Sequence, residues 1–295
     1  MARAVFHERS GRLVLLNGGP ETGKPAADPL ELWTWNGVAW TQLASDGPRW
    51  RNFASAAYDA RRGVIVLHGG VRPDAALADT WEWDGADWSE HSGDGPGARE
   101  GAALAFDAAR GVCVLFGGAE GDKALGDTWT WDGTTWQLAE ESGPSPRFAG
   151  GFAYDAAREK LVLCGGHTID ARGFRTHGDT WSWDGTVWQE QSVAGPSPRD
   201  GARAVFDPRS RSVLLFGGCE ISPQVRFFGD LWSWDGSTWT QRPESGPPPR
   251  VHPVFAYDAR RKVLVLTGGS NAPATVLGDV WEHDGERWRC ALECP

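Results

Sequence analysis

The segment DTWSWDGTVW (179–188) decides the reading of this chain, because its tryptophan core recurs five more times. The other copies are LWTWNGVAW (32–40), TWEWDGADW (80–88), TWTWDGTTW (128–136), LWSWDGSTW (231–239) and VWEHDGERW (280–288); the six together hold seventeen of the eighteen tryptophans. Upstream of each lies an apolar run ending in a glycine pair: Gly18-Gly19, Gly69-Gly70, Gly117-Gly118, Gly165-Gly166, Gly217-Gly218 and Gly268-Gly269. The pairs are 51, 48, 48, 52 and 51 residues apart. A fixed period near fifty marks a closed array or solenoid, whose units bury their apolar faces against one another.

Each unit carries four strand signals. The first is a small-residue stretch ending in an aromatic and usually Asp, as in FASAAYD (53–59) and GARAVFD (201–207). The second is the run before the glycines, such as VIVLH (64–68), whose unbroken apolar character suits a strand covered on both faces. The third and fourth are the tryptophan segments, joined by Asp-Gly or Asn-Gly, the strongest signal for a two-residue hairpin. A two-residue turn at Asn36-Gly37 sets Trp33 opposite Trp40, Glu282 opposite Arg287 and Glu82 opposite Asp87. Strand alternation puts Trp33, Trp35 and Trp40 on one face. Six such wedges predict an all-β, six-bladed propeller with four antiparallel strands per blade and no strand left to lend across the ring. The chain reads as one domain over 1–295, with blades near 1–46, 47–94, 95–142, 143–194, 195–245 and 246–295.

Composition narrows the function classes. A net charge of −10 disfavours nonspecific binding to nucleic acid or anionic membrane. No run approaches the roughly 18 apolar residues of a membrane span, and the N-terminus has no secretory h-region. The expectation is a cytoplasmic monomer, with Cys113 in the core and Cys290 and Cys294 as a reduced pair.

The motifs YDAAREKLVLCGG (154–166) and DTWSWDGTVW (179–188), with the six glycine pairs and Trp129 and Trp136 after Gly117-Gly118, resemble the kelch repeat over essentially the whole chain. The closest likeness is to the bacterial subclass with a YDxxR…GG…DTWxWDGTxW pattern. WD-repeat propellers share the Trp-Asp dipeptide but have a shorter period and lack the glycine pair. The resemblance implies a site at the mouth of the central channel, formed by loops entering the inner strands and loops following the glycines. The E-x-x-x-D-x-x-x-C run of the iron-dependent plant kelch proteins is absent, and the three tyrosines, Tyr58, Tyr154 and Tyr257, all occupy the repeat's aromatic slot. Neither a metal nor another cofactor is expected.

Five lead-in loops, GPRWRN, GPGARE, GPSPRF, GPSPRD and GPPPRV, place Arg51, Arg99, Arg147, Arg199 and Arg250 eight residues before the repeat Asp. A ring of guanidiniums could hold carboxylates or phosphates bidentately; alternatively, residues this regular tie the loops together. The residues beside them depart from the repeat: Trp50, Asn52, Glu100, Phe148, Asp200, His252 and, within an inner strand, Arg203. The longest post-glycine loops add His167, Asp170 and His177, without compact metal-ligand spacing. His68 reads as a strand-end variant in the slot of Asn17, and His7, in place of the turn Asp, as a surface residue.

The leading expectation is a binding module that takes an anionic or aromatic small molecule, or an acidic peptide, at this mouth. Trp50, Arg51, Asn52, Arg99, Arg147, Phe148, His167, Arg199, Arg203 and Arg250 are its candidate contacts. An isomerase, lyase or cyclase at the same mouth is the alternative, with acid–base work by Glu100, Asp200 and His252. A structural repeat protein is the third reading.

Overall fold

The computed structural model describes residues 2–17, 29–43, 46–170, 173–221, 224–243, 245–272 and 275–294. Gly18-Gly19 and most of the loop 20–31 lie outside the described residues. The described chain contains no helix and forms six four-stranded antiparallel sheets, with a separate two-stranded ribbon inserted between the second and third strands of blades 3, 4 and 5. In blade 1 the four strands are Arg3–His7, Arg12–Asn17, Glu31–Trp35 and Trp40–Leu43; in blade 6 they are Val254–Asp258, Val263–Thr267, Val280–His283 and Trp288–Leu292. The inner strands of blades 2 to 5 are Ser55–Asp59, Ala103–Asp107, Gly151–Asp155 and Arg203–Asp207. Each inner strand contacts the next around the ring, and Arg3–His7 against Val254–Asp258 closes it.

The core lies at the seams between blades. At the seam of blades 2 and 3, Ala57 and Val66 meet Ala102, Cys113, Leu115, Trp131 and Trp136; Leu13 and Trp35 meet Ala256, Val265 and Val280 where blade 1 meets blade 6. The middle tryptophan of each motif is the most buried, with Trp35, Trp83, Trp131, Trp183 and Trp234 at 3% exposure or less, and His283 takes the slot in blade 6. Indole nitrogens reach back to the preceding blade: Trp136 Nε1 donates to Thr80 Oγ1, Trp188 to Thr128 and Trp239 to Thr180, each at 2.9 Å.

The hairpin register departs from the two-residue expectation. Trp35, not Trp33, stands opposite Trp40, and the same holds for Trp83 with Trp88 and His283 with Trp288. Glu82 therefore opposes Ser89, and Glu282 opposes Arg289. The turn has four residues because the Asx side chain organises it: Asp132 Oδ1 accepts from the backbone N–H of Thr134 and Thr135, both at 2.8 Å. Those bonds, with that of Thr135 foremost, bring the Asp132 carboxyl down to about 2. Glycine alone takes the positive φ, +102° at Gly133, whereas a type I′ turn needs it at both central residues. A two-residue shift preserves the face, so the three tryptophans still share one side.

Three further expectations change. Cys290 and Cys294 are bonded to each other rather than reduced, and their Cα separation of 5.8 Å is one a disulfide spans. His7 is buried, bonding Gly63 O through Nε2 at 3.2 Å and packing on Tyr58 and Trp83. Leu16, not Asn17, occupies the slot of His68, since Arg3 pairs with Leu16 as Ser55 pairs with His68. Among the described residues no helix is long and apolar enough to cross a membrane.

Candidate functional site

Lead-in and post-glycine loops share one face, because the residue after each lead-in arginine bridges to the residue after the glycine pair. The bridges are Asn52 with Val71, Glu100 with Ala119, Phe148 with His167, Asp200 with Cys219, and Val251 with Ser270. One position further on, Phe53, Gly101, Ala149, Gly201 and His252 all adopt positive φ, between 53° and 63°. Their amides bond head to tail around the mouth: Gly101 N–H to Phe53 O, Ala149 to Gly101, Gly201 to Ala149 and His252 to Gly201, at 2.8 to 3.0 Å. Gly201 also leaves room for the His252 ring, since a Cβ there would lie 2.6 Å from it.

The five lead-in arginines are buried and engaged within their own blades. Arg99 Nη1 and Nη2 fork onto Asp127 at 2.8 and 2.9 Å, while Nη1 also donates to Gly117 O at 2.9 Å and Nε to Gly97 O at 3.2 Å. Arg51 pairs likewise with Asp79, Arg147 with Asp179, Arg199 with Asp230 and Arg250 with Asp279. The same aspartates accept the first tryptophan of the motif, Trp129 Nε1 to Asp127 at 2.7 Å. Burial works to raise the Asp127 carboxyl, yet the Arg99 fork overcomes it and holds the group below its usual range. This is the geometry of loop ties, and it removes Arg51, Arg99, Arg147, Arg199 and Arg250 from the set of free guanidiniums. Trp50 is buried too, under the Arg72 guanidinium at 5.4 Å.

Among the remaining departures from the repeat, Asp200, His167, His252, Arg203 and Phe148 come together, whereas no hydrogen bond or ion pair joins Glu100 to them among the described residues, and Asn52 bridges Val71 in its own blade. Asp200 Oδ1 lies 2.6 Å from His167 Nδ1, and Asp200 Oδ2 lies 3.6 Å from His252 Nε2. Arg203 Nη2 is 3.4 Å from His252 Nδ1, and Nη1 donates to Ala202 O at 3.1 Å. Burial drives the His252 pKa to about 3, so the ring stays neutral; Asp200 opposes that shift, and Arg203 adds to it. His167 stands between Phe148, with ring centroids 3.7 Å apart, and Phe174, stacked at 4.3 Å. Glu100 is half-buried, and desolvation raises its carboxyl.

Arg3 joins this group unforeseen. It holds the first position of its inner strand, as Ser55, Ala103, Gly151, Arg203 and Val254 do in theirs. The signal was present in the register, one slot from a lead-in that this blade does not show. Arg3 Nε donates to Ala54 O at 2.9 Å, and burial lowers its pKa to about 10. Burial, then the charge of Arg3, pushes Arg203 well below the usual guanidinium value. Arg203 Nε is enclosed without a hydrogen-bond partner among the described residues.

On the opposite face, a cleft of about 480 Å³ opens where blades 6 and 1 meet, lined by Arg12, Thr34, Trp35, Asn36, Asp258 and Arg261 among others. Its Asp258 and Arg261 already pair at 2.7 Å and belong to the turn motif repeated in other blades, so the mouth is the better candidate. No trio of His, Cys, Asp or Glu among the described residues is placed to hold a metal.

No family model matches the chain. One curated protein, Mei4-dependent protein 6 of Schizosaccharomyces pombe, is 28% identical over 110 residues, covering 33% of this chain and 15% of that protein. The chain therefore spans well under two thirds of this relative's length.

Proposed function

We propose that this chain is a kelch-type propeller that captures a small anion at the mouth of its channel, with Arg203 and Arg3 as the receiving groups. The observation that carries this is the state of Arg203: half-buried with its Nε enclosed and unbonded, close enough to feel the charge of Arg3, and without a carboxylate in salt-bridge contact among the described residues. Holding two half-buried guanidiniums close together is costly, and an incoming carboxylate or phosphate relieves that cost. Among the described residues the acid acting on it is Asp200, which is already engaged by His167. A side chain on the inner-strand wall selects a small molecule over a peptide lying across the rim. The cytoplasmic setting expected from sequence would require Cys290 and Cys294 to be kept reduced there, since disulfides persist in oxidising compartments.

Calorimetric titration with pyruvate, inorganic phosphate and citrate tests this. At least one should bind the wild type, and Arg203→Ala or Arg3→Ala should weaken it about 10- to 100-fold, the range of a hydrogen bond to a charged group. Asp132→Ala, on the turn face, should bind as wild type does. Equal affinity in all four proteins, or no binding in any, refutes the proposal.

A further inference from the structure

We infer that the anion taken at this mouth is an aromatic monocarboxylate, its carboxylate held by Arg203 and Arg3 and its ring bordered by Phe53 and His252. This rests on the anion reading above and names the ligand class. The four residues form one connected group. Arg203 Nη2 lies 3.4 Å from His252 Nδ1, and the His252 ring meets Phe53 edge-on with centroids 5.9 Å apart. Arg3 Nε donates to the carbonyl of Ala54, next in the chain to Phe53, at 2.9 Å. Arg203 feels the charge of Arg3, and His252 feels both guanidiniums. The cation pair and the ring pair therefore share the arc of the rim that runs from blade 5 round to blade 2. At the slot of Arg3 and Arg203 the other blades carry Ser55, Ala103, Gly151 and Val254, which add no charge to the pair.

The repeat does not require the rings. Glycine serves the same left-handed rim position at Gly101 and Gly201, whereas Phe53 at 54° and His252 at 53° hold it with an aromatic side chain, against a steric cost. The hydrogen bonds of the rim are made by backbone and need neither ring. His252 also stands between two charges, with Nδ1 toward Arg203 and Nε2 3.6 Å from Asp200 Oδ2. A guanidinium only donates, so Nδ1 accepts and the proton of the neutral ring sits on Nε2. The imidazole thus keeps Asp200 from closing on Arg203 and leaves that guanidinium to a ligand. The same chemistry selects the ligand. Phe53 offers no donor, and His252 turns a lone pair toward Arg203. A carboxylate is satisfied by guanidinium N–H groups alone, while the further oxygens of a phosphate would meet apolar carbon and that lone pair. A flat apolar body beyond the carboxylate gives Phe53 and His252 a partner for edge or face contact.

Calorimetric titration of the full chain with benzoate, cyclohexanecarboxylate, acetate and inorganic phosphate is the test. Wild type should bind benzoate about 10- to 100-fold more tightly than acetate, the scale of covering an aromatic ring with two others, and more tightly than phosphate. Cyclohexanecarboxylate, similar in size but neither flat nor aromatic, should fall between the two acids. Phe53→Leu should narrow the ratio of benzoate to acetate affinity about 10-fold, and Arg203→Ala should weaken both acids alike. Wild type that does not bind benzoate, or binds it no more tightly than acetate, cyclohexanecarboxylate or phosphate, overturns the aromatic class. A Phe53→Leu variant with the wild-type ratio overturns it too, leaving that ring as a closure of the rim alone. Should this variant not fold, the four ligands compared on wild type decide. The anion reading is judged apart from this: it stands if pyruvate, phosphate or citrate binds and Arg203→Ala weakens it.

Discussion

Arg250→Ala is expected to lose about 3–5 kcal/mol of stability at neutral pH, the range for removing one partner of a buried ion pair. The guanidinium is fully enclosed and forks onto Asp279 at 2.6 and 2.7 Å, with Gly268 O and Pro248 O at 3.1 Å completing its bonds. Truncation leaves the Asp279 charge without its counter-charge in a nearly closed site, held by the Trp281 indole N–H at 2.7 Å. Arg250→Lys should recover little, because one ammonium cannot form the fork and reach two carbonyls besides. Burial acts to raise the Asp279 carboxyl, but the fork holds it below its usual value, which fixes the sign of the pH dependence. A lowered folded-state pKa gives stability that is present above the unfolded value near 3.9 and is lost as pH falls through the folded one. Urea melts of wild type and variant should therefore differ most at pH 7 and begin to converge only as pH falls below the unfolded value of about 3.9. A loss below about 1 kcal/mol at pH 7, combined with lost anion binding, would restore this arginine to the ligand site.

Trp136→Ala is expected to cost a similar amount, about 3–5 kcal/mol, through the cavity left by a buried large aromatic. Its ring packs on Trp131 at 5.4 Å and His68 at 5.2 Å, and its Nε1 donates to Thr80 in the blade behind. The indole thus fills one seam while bonding across it. Val38→Ala, on an exposed hairpin turn at 76% accessibility, should stay within about 0.5 kcal/mol of wild type. Urea unfolding of both compares seam with surface directly, and equal losses would sink the seam argument.

The architecture was legible because six copies of one unit repeat its physics: an apolar strand, a glycine pair, a tryptophan hairpin. Asp-Gly misled only over register, since a two-residue turn and a four-residue Asx turn begin with the same letters. The difference lies in whether the Asp side chain caps the following amides, as Asp132 does. His7 was misplaced because its slot looked like a turn, whereas the ring folds back between Tyr58 and Trp83. At the mouth, the sequence named Asp200, His167, His252 and Arg203 but could not show which arginines were free. Pairing 28 to 32 residues apart decides that, as for Arg99 with Asp127 and Arg147 with Asp179. Arg3 escaped notice because only strand register, not a motif, aligns it with Arg203.

The head-to-tail amides running from Phe53 through Gly101, Ala149 and Gly201 to His252 act as a hoop on a cask. The run joins blades 2 to 6, and none of the three staves between its ends can tilt outward alone without parting a bond on either side, so that arc of the rim is set before any guest arrives. The hoop's two ends are fastened by a clasp of rings, Phe53 edge-on to His252 at 5.9 Å. Hydrogen exchange should register this as one event: the amides of Gly101, Ala149, Gly201 and His252 opening at a common rate, and all of them faster when Phe53→Ala undoes the clasp. Four unrelated rates would mean that each blade holds its own place at the rim.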